Sequence, residues 1–224
     1  MSKSLNKIIV ALGAIMLFGA GCISISRGPS GNDGGVFKST TFGQEWEPKV
    51  TLVTSAGLKN FAGANITTFA IDPQDHRAIY AGSELSGMFY TYDGGAIWQQ
   101  PSALTKGYVS AIAIDPTNKC VTYVAVDNRI LKSVDCNRTF SEIYREVSAE
   151  NILTAFTIDA RNASNIYAGT IRGTLLKSND AGRTWILENT FPARRIVNIV
   201  IDPRNSAVRY VALMGKGIWK TTDG

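Results

Sequence analysis

The acidic residues of this sequence fall into two sets, one repeated along the chain and one not. Cleavage of a glycosidic bond needs two carboxylates that flank the bond, one of them protonated as the general acid. Such a pair would come from the unrepeated set, because residues repeated in every unit serve the packing and the turns that all units have in common. The unrepeated acids in predicted loops are Glu84, Asp127, Glu146 and Glu150.

Three arginines form a second candidate set. Arg172, Arg194 and Arg195 could bind an anion on the same face as these acids, although adjacent arginines in a loop are usually solvated. With Glu84 they are the predicted binding residues, and no catalytic residue is assigned. His76 is the only histidine, so the chain alone cannot build a Ser-His-Asp triad or a Cys/His zinc site, and we expect no metal and no cofactor.

One repeated set of acids lies in an eight-residue pattern, here called the box, seen as Ser178-x-Asp180-x-Gly182-x-Thr184-Trp185. It predicts a β-hairpin turn in which the Asp carboxylate accepts hydrogen bonds from backbone N–H groups. Gly supplies a positive φ, and the Trp side chain covers the hairpin. The predicted structural residues of the five copies are Ser39, Trp46, Asp93, Gly95, Trp98, Asp135, Phe140, Asp180, Gly182, Trp185 and Asp223.

A second motif, IDP or IDA, repeats in the same frame. Its aspartates, Asp72, Asp115, Asp159 and Asp202, recur at intervals of 43, 44 and 43 residues, and each is followed eight residues later by a tyrosine. This period is typical of propeller blades. Repetition in every unit favours a turn-capping role for these aspartates.

Each unit is predicted to form four short antiparallel strands, in unit two Ser110 to Ile114, Val121 to Val126, Arg129 to Ser133 and Thr139 to Tyr144. The predicted fold is therefore an all-β propeller of four-stranded blades. Val36 to Val53 reads as the last two strands of a blade, and the fourth unit stops inside a box at Gly224, which predicts an incomplete ring. The alternative is a four-bladed closure in which the N-terminal hairpin supplies the last strand of unit four.

The combination of Asp159, Tyr167-Ala168-Gly169 and the box at Ser178 to Trp185 resembles the BNR or Asp-box repeat proteins, over Val36 to Gly224. That group includes sialidases, xyloglucan-cleaving glycoside hydrolases, the sortilin-type receptor domain and the photosystem II assembly factor family. The resemblance implies boxes on the outer rim, away from the ligand face, so that box aspartates are not catalytic. Glu84 in GSELSG loosely matches an acidic position of the xyloglucan-cleaving enzymes, whereas the Arg-Ile-Pro motif of sialidases is absent.

The N-terminus predicts export. Lys3 and Lys7 precede a 13-residue apolar run, and FGAGC resembles a bacterial lipobox in which Cys22 is lipidated, although Gly19 replaces the usual aliphatic residue. The predicted organisation is a signal peptide over 1–21, a lipidated Cys22 with a flexible tether over 22–35, and the propeller over 36–224. Without Lys3 and Lys7 of the leader, the net charge of +5 falls to about +3. The sequence also has no run of Lys and Arg that could follow a phosphate backbone, so we expect no nucleic-acid partner.

Two further cysteines, Cys120 and Cys136, flank a hairpin whose turn lies around Asp127 and Asn128. They are equidistant from residue 128, which predicts that they face each other across the hairpin and form a disulfide. The alternative is a pair of small buried apolar side chains. An exported protein is the setting in which such a bond persists.

These observations favour a membrane-anchored lipoprotein, outside the cytoplasm, whose propeller binds a protein or glycan and catalyses no reaction. The first alternative is the N-terminal part of a xyloglucanase-like or sialidase-like glycoside hydrolase, and the second a protein like the photosystem II assembly factors. Any specific ligand should meet the loops that differ between units, because the repeated residues serve packing and turns.

Cys22→Ser is predicted to release the protein from the membrane of its native host. Each buried CH₂ of an attached acyl chain contributes about 0.8 kcal/mol to membrane affinity, and the variant has no attachment point. Fractionation followed by immunoblotting measures the change. Wild type and variant in equal amounts in the soluble fraction would rule out the lipobox.

Overall fold

The computed structural model describes residues 34–224. The predicted signal peptide, Cys22 and nearly all of the predicted tether lie outside the described residues. Within 34–224 the regular elements are β-strands and one short 3-10 helix, Ser102–Leu104. Over this same range, no helix has the length and apolarity that a membrane crossing requires.

Eighteen strands form six antiparallel sheets, and each sheet is built from strands that are consecutive in sequence. We name the four regular sheets units 1 to 4 and the strands before them the N-terminal segment. The N-terminal segment holds β1 Phe37–Lys38, β2 Glu47–Pro48, β3 Thr51–Thr54 and β4 Gly57–Asn60, and unit 1 holds β5 Ile66–Ile71, β6 Ile79–Ser83 and β7 Met88–Thr91. Unit 2 holds β8 Val109–Asp115, β9 Asn118–Val126, β10 Arg129–Ser133 and β11 Ser141–Arg145. Unit 3 holds β12 Leu153–Asp159, β13 Asn162–Thr170, β14 Thr174–Ser178 and β15 Ile186–Thr190, and unit 4 holds β16 Ile196–Asp202, β17 Asn205–Leu213 and β18 Gly217–Thr221.

The predicted four-stranded unit is confirmed for units 2 and 3. Unit 1 differs, because its expected fourth strand is reduced to a bridge between Tyr90 and Gln99. The neighbouring Trp98 turns its backbone to β3 instead: its N–H donates to the Thr51 carbonyl, and its carbonyl accepts from Val53. The N-terminal segment also contains β4, a strand that the sequence analysis did not predict.

Apolar side chains pack between successive units. The sheet of each unit has two apolar faces and can bury them only against a neighbour. The first of the buried clusters joins units 1 and 2, the second units 2 and 3, the third units 3 and 4, and the fourth the N-terminal segment and unit 1. The first strand of each unit packs against the first strand of the next. The described sheets form an open arc of propeller blades, and the alternative four-bladed closure is not adopted.

The box turns are built from one set of hydrogen bonds. The Ser178 hydroxyl accepts from the backbone of Gly182 at 2.8 Å, and Asp180 accepts from the backbone and hydroxyl of Thr184 at 2.8 and 2.6 Å. The same bonds recur around Asp135, with Asn137 at the glycine position and a φ of 67°. Asn tolerates this left-handed backbone better than most residues, so the turn survives without glycine.

The IDP and IDA aspartates cap turns. In each, one carboxylate oxygen accepts the backbone N–H two residues later, at 2.8 or 2.9 Å. Their predicted role in turns therefore has a direct structural basis, and it explains why they recur with the period of the units.

A disulfide joins Cys120 and Cys136. The hairpin of β9 and β10 pairs Thr122 with Ser133, so its centre lies between Asp127 and Asn128 and not at residue 128. Cys136 is therefore one residue beyond the ladder position opposite Cys120. The positive φ of 57° at Cys136 belongs to the box turn, and its N–H donates to the Cys120 carbonyl at 3.1 Å.

Thiol titration of the denatured, unreduced Cys22→Ser variant is predicted to find no free thiol, since only the disulfide cysteines then remain. Reduction should lower stability by about 3 kcal/mol on the chain-entropy model, or the melting temperature by roughly 6–12 °C for a chain of this size. Two titratable thiols per chain without reductant would contradict the bond.

Acid is predicted to destabilise the box turns. The hydrogen bonds from Thr184 lower the pKa of Asp180 to about 2, and those from Thr139 do the same for Asp135. A carboxylate whose pKa is lowered by folding stabilises the fold above its unfolded pKa, near 3.8, and loses that effect as pH falls toward 2. The melting temperature of wild type should therefore drop between about pH 4 and pH 2.

The double variant Asp135→Asn, Asp180→Asn should melt lower at neutral pH and show a smaller drop across this interval. Glu45→Gln, which removes an exposed acid from the first box at a position other than that of Asp135 and Asp180, is the control and should keep the acid dependence of wild type. An unchanged acid dependence in the double variant would show that other groups cause it.

Candidate functional site

One face of the arc is formed by the loops between the second and third strands of each unit together with the loops between units. We call it the loop face. A backbone hydrogen bond repeats across it: Glu84, Asp127, Ile171 and Met214 each donate to the carbonyl of the residue just before their unit's first strand, at 2.9 Å in every case. The loop backbones are thus held alike in all units, and only their side chains and lengths differ.

A cleft of about 420 Å³ opens on the loop face between the N-terminal segment and unit 1. Its polar lining consists of neutral amides and hydroxyls, from Asn60, Ser86, Gln100 and Thr105. Its floor is aromatic: Phe61 stacks on Phe89, with ring centroids 4.3 Å apart. No Asp, Glu, Lys or Arg lines this cleft in the described part of the chain.

Local sequence explains the shape of the cleft. Gly87 has a φ of 66°, and a Cβ there would lie 2.0 Å from the Leu104 carbonyl oxygen, so only glycine lets the two loops approach. Two residues of the lining are also joined directly: Gln100 donates to the Ser86 carbonyl at 2.6 Å. The cleft is therefore held open by specific contacts.

Glu84 stands beside this cleft. Its loop also carries Ser86, and its carboxylate accepts a 3.0 Å hydrogen bond from the Asn65 amide, next to the lining residue Ala64. Its side chain is exposed to solvent. Of the four predicted binding residues, Glu84 alone lies on unit 1.

The structure brings the three predicted arginines together, two units away from Glu84. Arg172 lies on the β13–β14 turn, and Arg194 and Arg195 lie on the loop from β15 to β16. The two loops meet at Gly173, whose Cβ position would lie 2.6 Å from the Arg194 carbonyl oxygen. Arg172 is paired with Glu150 at 2.8 Å, whereas the Nε of Arg195 is buried without a partner.

The other loop acids hold structural contacts. Asp127 accepts from the Tyr108 backbone at 3.0 Å, and Glu146 accepts from the Tyr144 hydroxyl at 3.0 Å. Away from the loops, burial raises the pKa of Glu188, an effect that Arg209 and Lys177 oppose. Glu188 lies between units 3 and 4, where its carboxylate accepts from Arg209 at 2.8 Å.

Sequence reasoning missed the cleft because its lining residues come from three loops and have no charge or motif in common. In the floor of the cleft, Phe61 packs against Phe89 and Trp98 and keeps only a small part of its ring exposed. The sequence offers no signal for this floor, because the apolar residues around Phe61 come together only in the folded structure. Among residues 34–224 no group of three His, Cys, Asp or Glu side chains could hold a metal ion.

Comparison with known proteins bears mainly on the fold. No protein-family model matches the sequence. A xyloglucanase of Hypocrea jecorina is 26% identical over 142 residues, which cover 53% of this chain and 17% of that enzyme. The chain thus spans less than a fifth of that relative.

Two solved structures show the same architecture. The GH74 xyloglucanase from Xanthomonas campestris superposes with a TM-score of 0.66 at 17% identity, covering 86% of this chain and 34% of that one. YCF48 bound to D1 peptide superposes with a TM-score of 0.51 at 12% identity, covering 70% of this chain and 53% of that one. The chain has the β-propeller fold, arranged as an incomplete ring.

Proposed function

We propose that this chain is an exported, lipid-anchored propeller of the Asp-box group that binds a neutral polysaccharide on its loop face and does not cleave it. The observation that carries the proposal is the cleft beside Glu84, in which uncharged hydrogen-bonding groups surround an aromatic floor. The recurring hydrogen bonds of the box turns support membership of the Asp-box group. The predicted leader and Cys22 support export and anchoring.

The lining chemistry favours a neutral sugar polymer. Sugar hydroxyls both donate and accept, and Asn60 and Gln100 offer both functions through their amides, as Ser86 and Thr105 do through their hydroxyls. A charged ligand would find no opposite charge on these walls. The likeness to xyloglucanases points to a β-glucan backbone such as that of xyloglucan.

The supply of carboxylates supports binding without cleavage. Hydrolysis needs two, about 5–10 Å apart across the bond. The cleft lining contributes none, and Glu84 is the acid beside it. The other loop acids, Asp127, Glu146 and Glu150, are engaged with Tyr108, Tyr144 and Arg172 on units further along the arc.

A second candidate function is that of a glycoside hydrolase, favoured by one observation: Glu84 stands in GSELSG at the edge of the cleft, in a chain with a xyloglucanase relative. In that case Glu84 is one of the two carboxylates and its partner lies elsewhere. A peptide-binding role, as in the complex of YCF48 with D1 peptide, is the remaining alternative.

Xyloglucan oligosaccharides are predicted to bind the full chain in calorimetry, and Asn60→Ala with Thr105→Val should weaken binding about tenfold, as expected for two lost hydrogen bonds. Thr190→Val, an exposed threonine at the end of β15 in unit 3, is the control and should bind as wild type does. Replacing Arg172, Arg194 and Arg195 together by Ala should leave the affinity for neutral sugar unchanged.

Reducing-end assays on the same samples separate the two functions. The absence of new reducing ends, together with wild-type binding by Glu84→Gln, fits the binding role. Release of reducing ends that Glu84→Gln abolishes would establish the hydrolase instead. A loss of xyloglucan binding confined to the triple arginine variant would contradict the cleft beside Glu84 as the binding site.

A further inference from the structure

Each unit carries one pair of residues on the loop face, joined by the backbone hydrogen bond that repeats there. The pairs are Asn65 with Glu84, Tyr108 with Asp127, Ile152 with Ile171, and Arg195 with Met214. Because the backbones are held alike, the pairs differ in the chemistry of their side chains. Of the four, the pair of unit 2 is the one that combines an aromatic ring with a hydrogen-bonding group.

The pair of unit 2 lies next to the cleft. Tyr108 follows the lining residue Thr105 by three residues, which span at most about 10 Å. Between them, Gly107 forms a β-bridge with Ser86, another residue of the lining. Its N–H also donates to the carbonyl of the exposed Leu85 at 3.2 Å. A sugar chain that leaves the cleft across these two loops therefore meets Tyr108.

The carboxylate of Asp127 is held in place beside Tyr108. Asp127 has a φ of 52°, a left-handed backbone that Asp adopts more readily than most residues. Its Oδ1 accepts the N–H of Tyr108 at 3.0 Å. Its Oδ2 would lie 2.9 Å from a Cβ at position 107, where the glycine has a φ of 103°. Gly107 thus leaves the space that the carboxylate occupies.

Arg129 adds a donor to this carboxylate. Its guanidinium lies 3.8 Å from Oδ2 of Asp127, which is longer than a hydrogen bond. The side chains of Arg129 and Asp127 stay 33% and 42% exposed, so both can still bind a ligand. Sugar hydroxyls donate and accept, and can therefore bridge the two groups through charge-assisted hydrogen bonds.

Tyr108 adds an apolar surface to the same position. The residue is half-buried and keeps part of its surface open to solvent. A sugar ring presents C–H groups on its face and hydroxyls at its edge. An aromatic ring can pack on that face while Asp127 and Arg129 bind the edge.

The pair of unit 3 ends this surface. Ile152 and Ile171 are aliphatic and half-buried, and their side chains neither donate nor accept hydrogen bonds. A sugar hydroxyl that lost its water against them would find no partner there. The surface suited to a sugar chain thus runs from the cleft to unit 2 and stops before unit 3.

We propose, on the basis of the glycan binding proposed above, that Tyr108, Asp127 and Arg129 form a second sugar position. It extends the cleft along the loop face from unit 1 to unit 2. A short oligosaccharide fills the cleft alone, whereas a longer one occupies both positions. The second position therefore makes the protein prefer a polymer to its fragments.

Calorimetry of the full chain with xyloglucan oligosaccharides of one and of two repeating units tests this preference. Wild type is expected to bind the longer oligosaccharide about tenfold more tightly. Tyr108→Ala should remove this preference, because the loss of one aromatic contact costs up to about tenfold in affinity. Its affinity for the shorter oligosaccharide should not change, which also shows that the variant is folded. Asn60→Ala with Thr105→Val should weaken the binding of both.

Three further variants separate the ring, the charge and the place in the repeat. Tyr108→Phe keeps the ring and should keep the preference for the longer oligosaccharide. Arg129→Leu removes the guanidinium and should weaken the longer oligosaccharide about fivefold, as expected for one lost hydrogen bond. Ile152→Ala is the matched control, because it truncates the equivalent position of unit 3, and both affinities should equal those of wild type.

Two results would overturn the second position and leave the cleft as the whole site. One is equal affinity of wild type for the two oligosaccharides. The other is a loss in Tyr108→Ala that is the same for both lengths, since the ring would then act on the cleft. Failure of wild type to bind either oligosaccharide would contradict glycan binding itself, and the second position with it.

Discussion

A sheet of this protein cannot bury both of its own faces, and the rest of the structure depends on this constraint. Each unit offers one apolar face to the unit before it and another to the unit after it, so stability comes from contacts between neighbours. Tyr80 and Tyr123 are completely buried in these contacts, and the equivalent Tyr167 is nearly so. Substitutions on these faces therefore affect two units at a time. Units 1 and 4, which lack a regular neighbour on one side among the described residues, carry apolar residues on that side that stay exposed.

The same constraint separates scaffold from site. The repeated aspartates are used by their own turns: Asp180 by the box, Asp159 by the turn after β12. The loop backbones are fixed by a hydrogen bond that occurs once in each unit. Ligand recognition is then left to side chains that differ between units, and the cleft beside Glu84 arises where the irregular N-terminal segment meets the first regular unit. An irregularity in a repeat is thus what creates a candidate site.

Unit 4 shows how a repeat position can change character without loss of the fold. Arg209 occupies a buried position that is Ile166 in unit 3, and it is held by Glu188, by the Tyr167 hydroxyl and by the ring of Tyr167. A buried guanidinium is tolerated only when its donors are paired in this way. One oxygen of Glu188 is nevertheless buried without a partner in the described residues, at the wall of a cavity of about 260 Å³ between β15 and β18.

The sequence by itself determined the fold class, the period of the units, the strand boundaries of unit 2 to within a few residues, and the local structure of the turns. Those features depend on contacts between residues close in the chain, such as Ser178 with Gly182, and their patterns are visible without the fold. The tertiary structure alone decided which apolar residues of the outer units stay exposed, and that Trp98 pairs with β3 and shortens unit 1. It also decided the site. Asn60, Ser86 and Thr105 come together from separate loops, and no spacing in the sequence relates them, because such contacts form only when whole units pack.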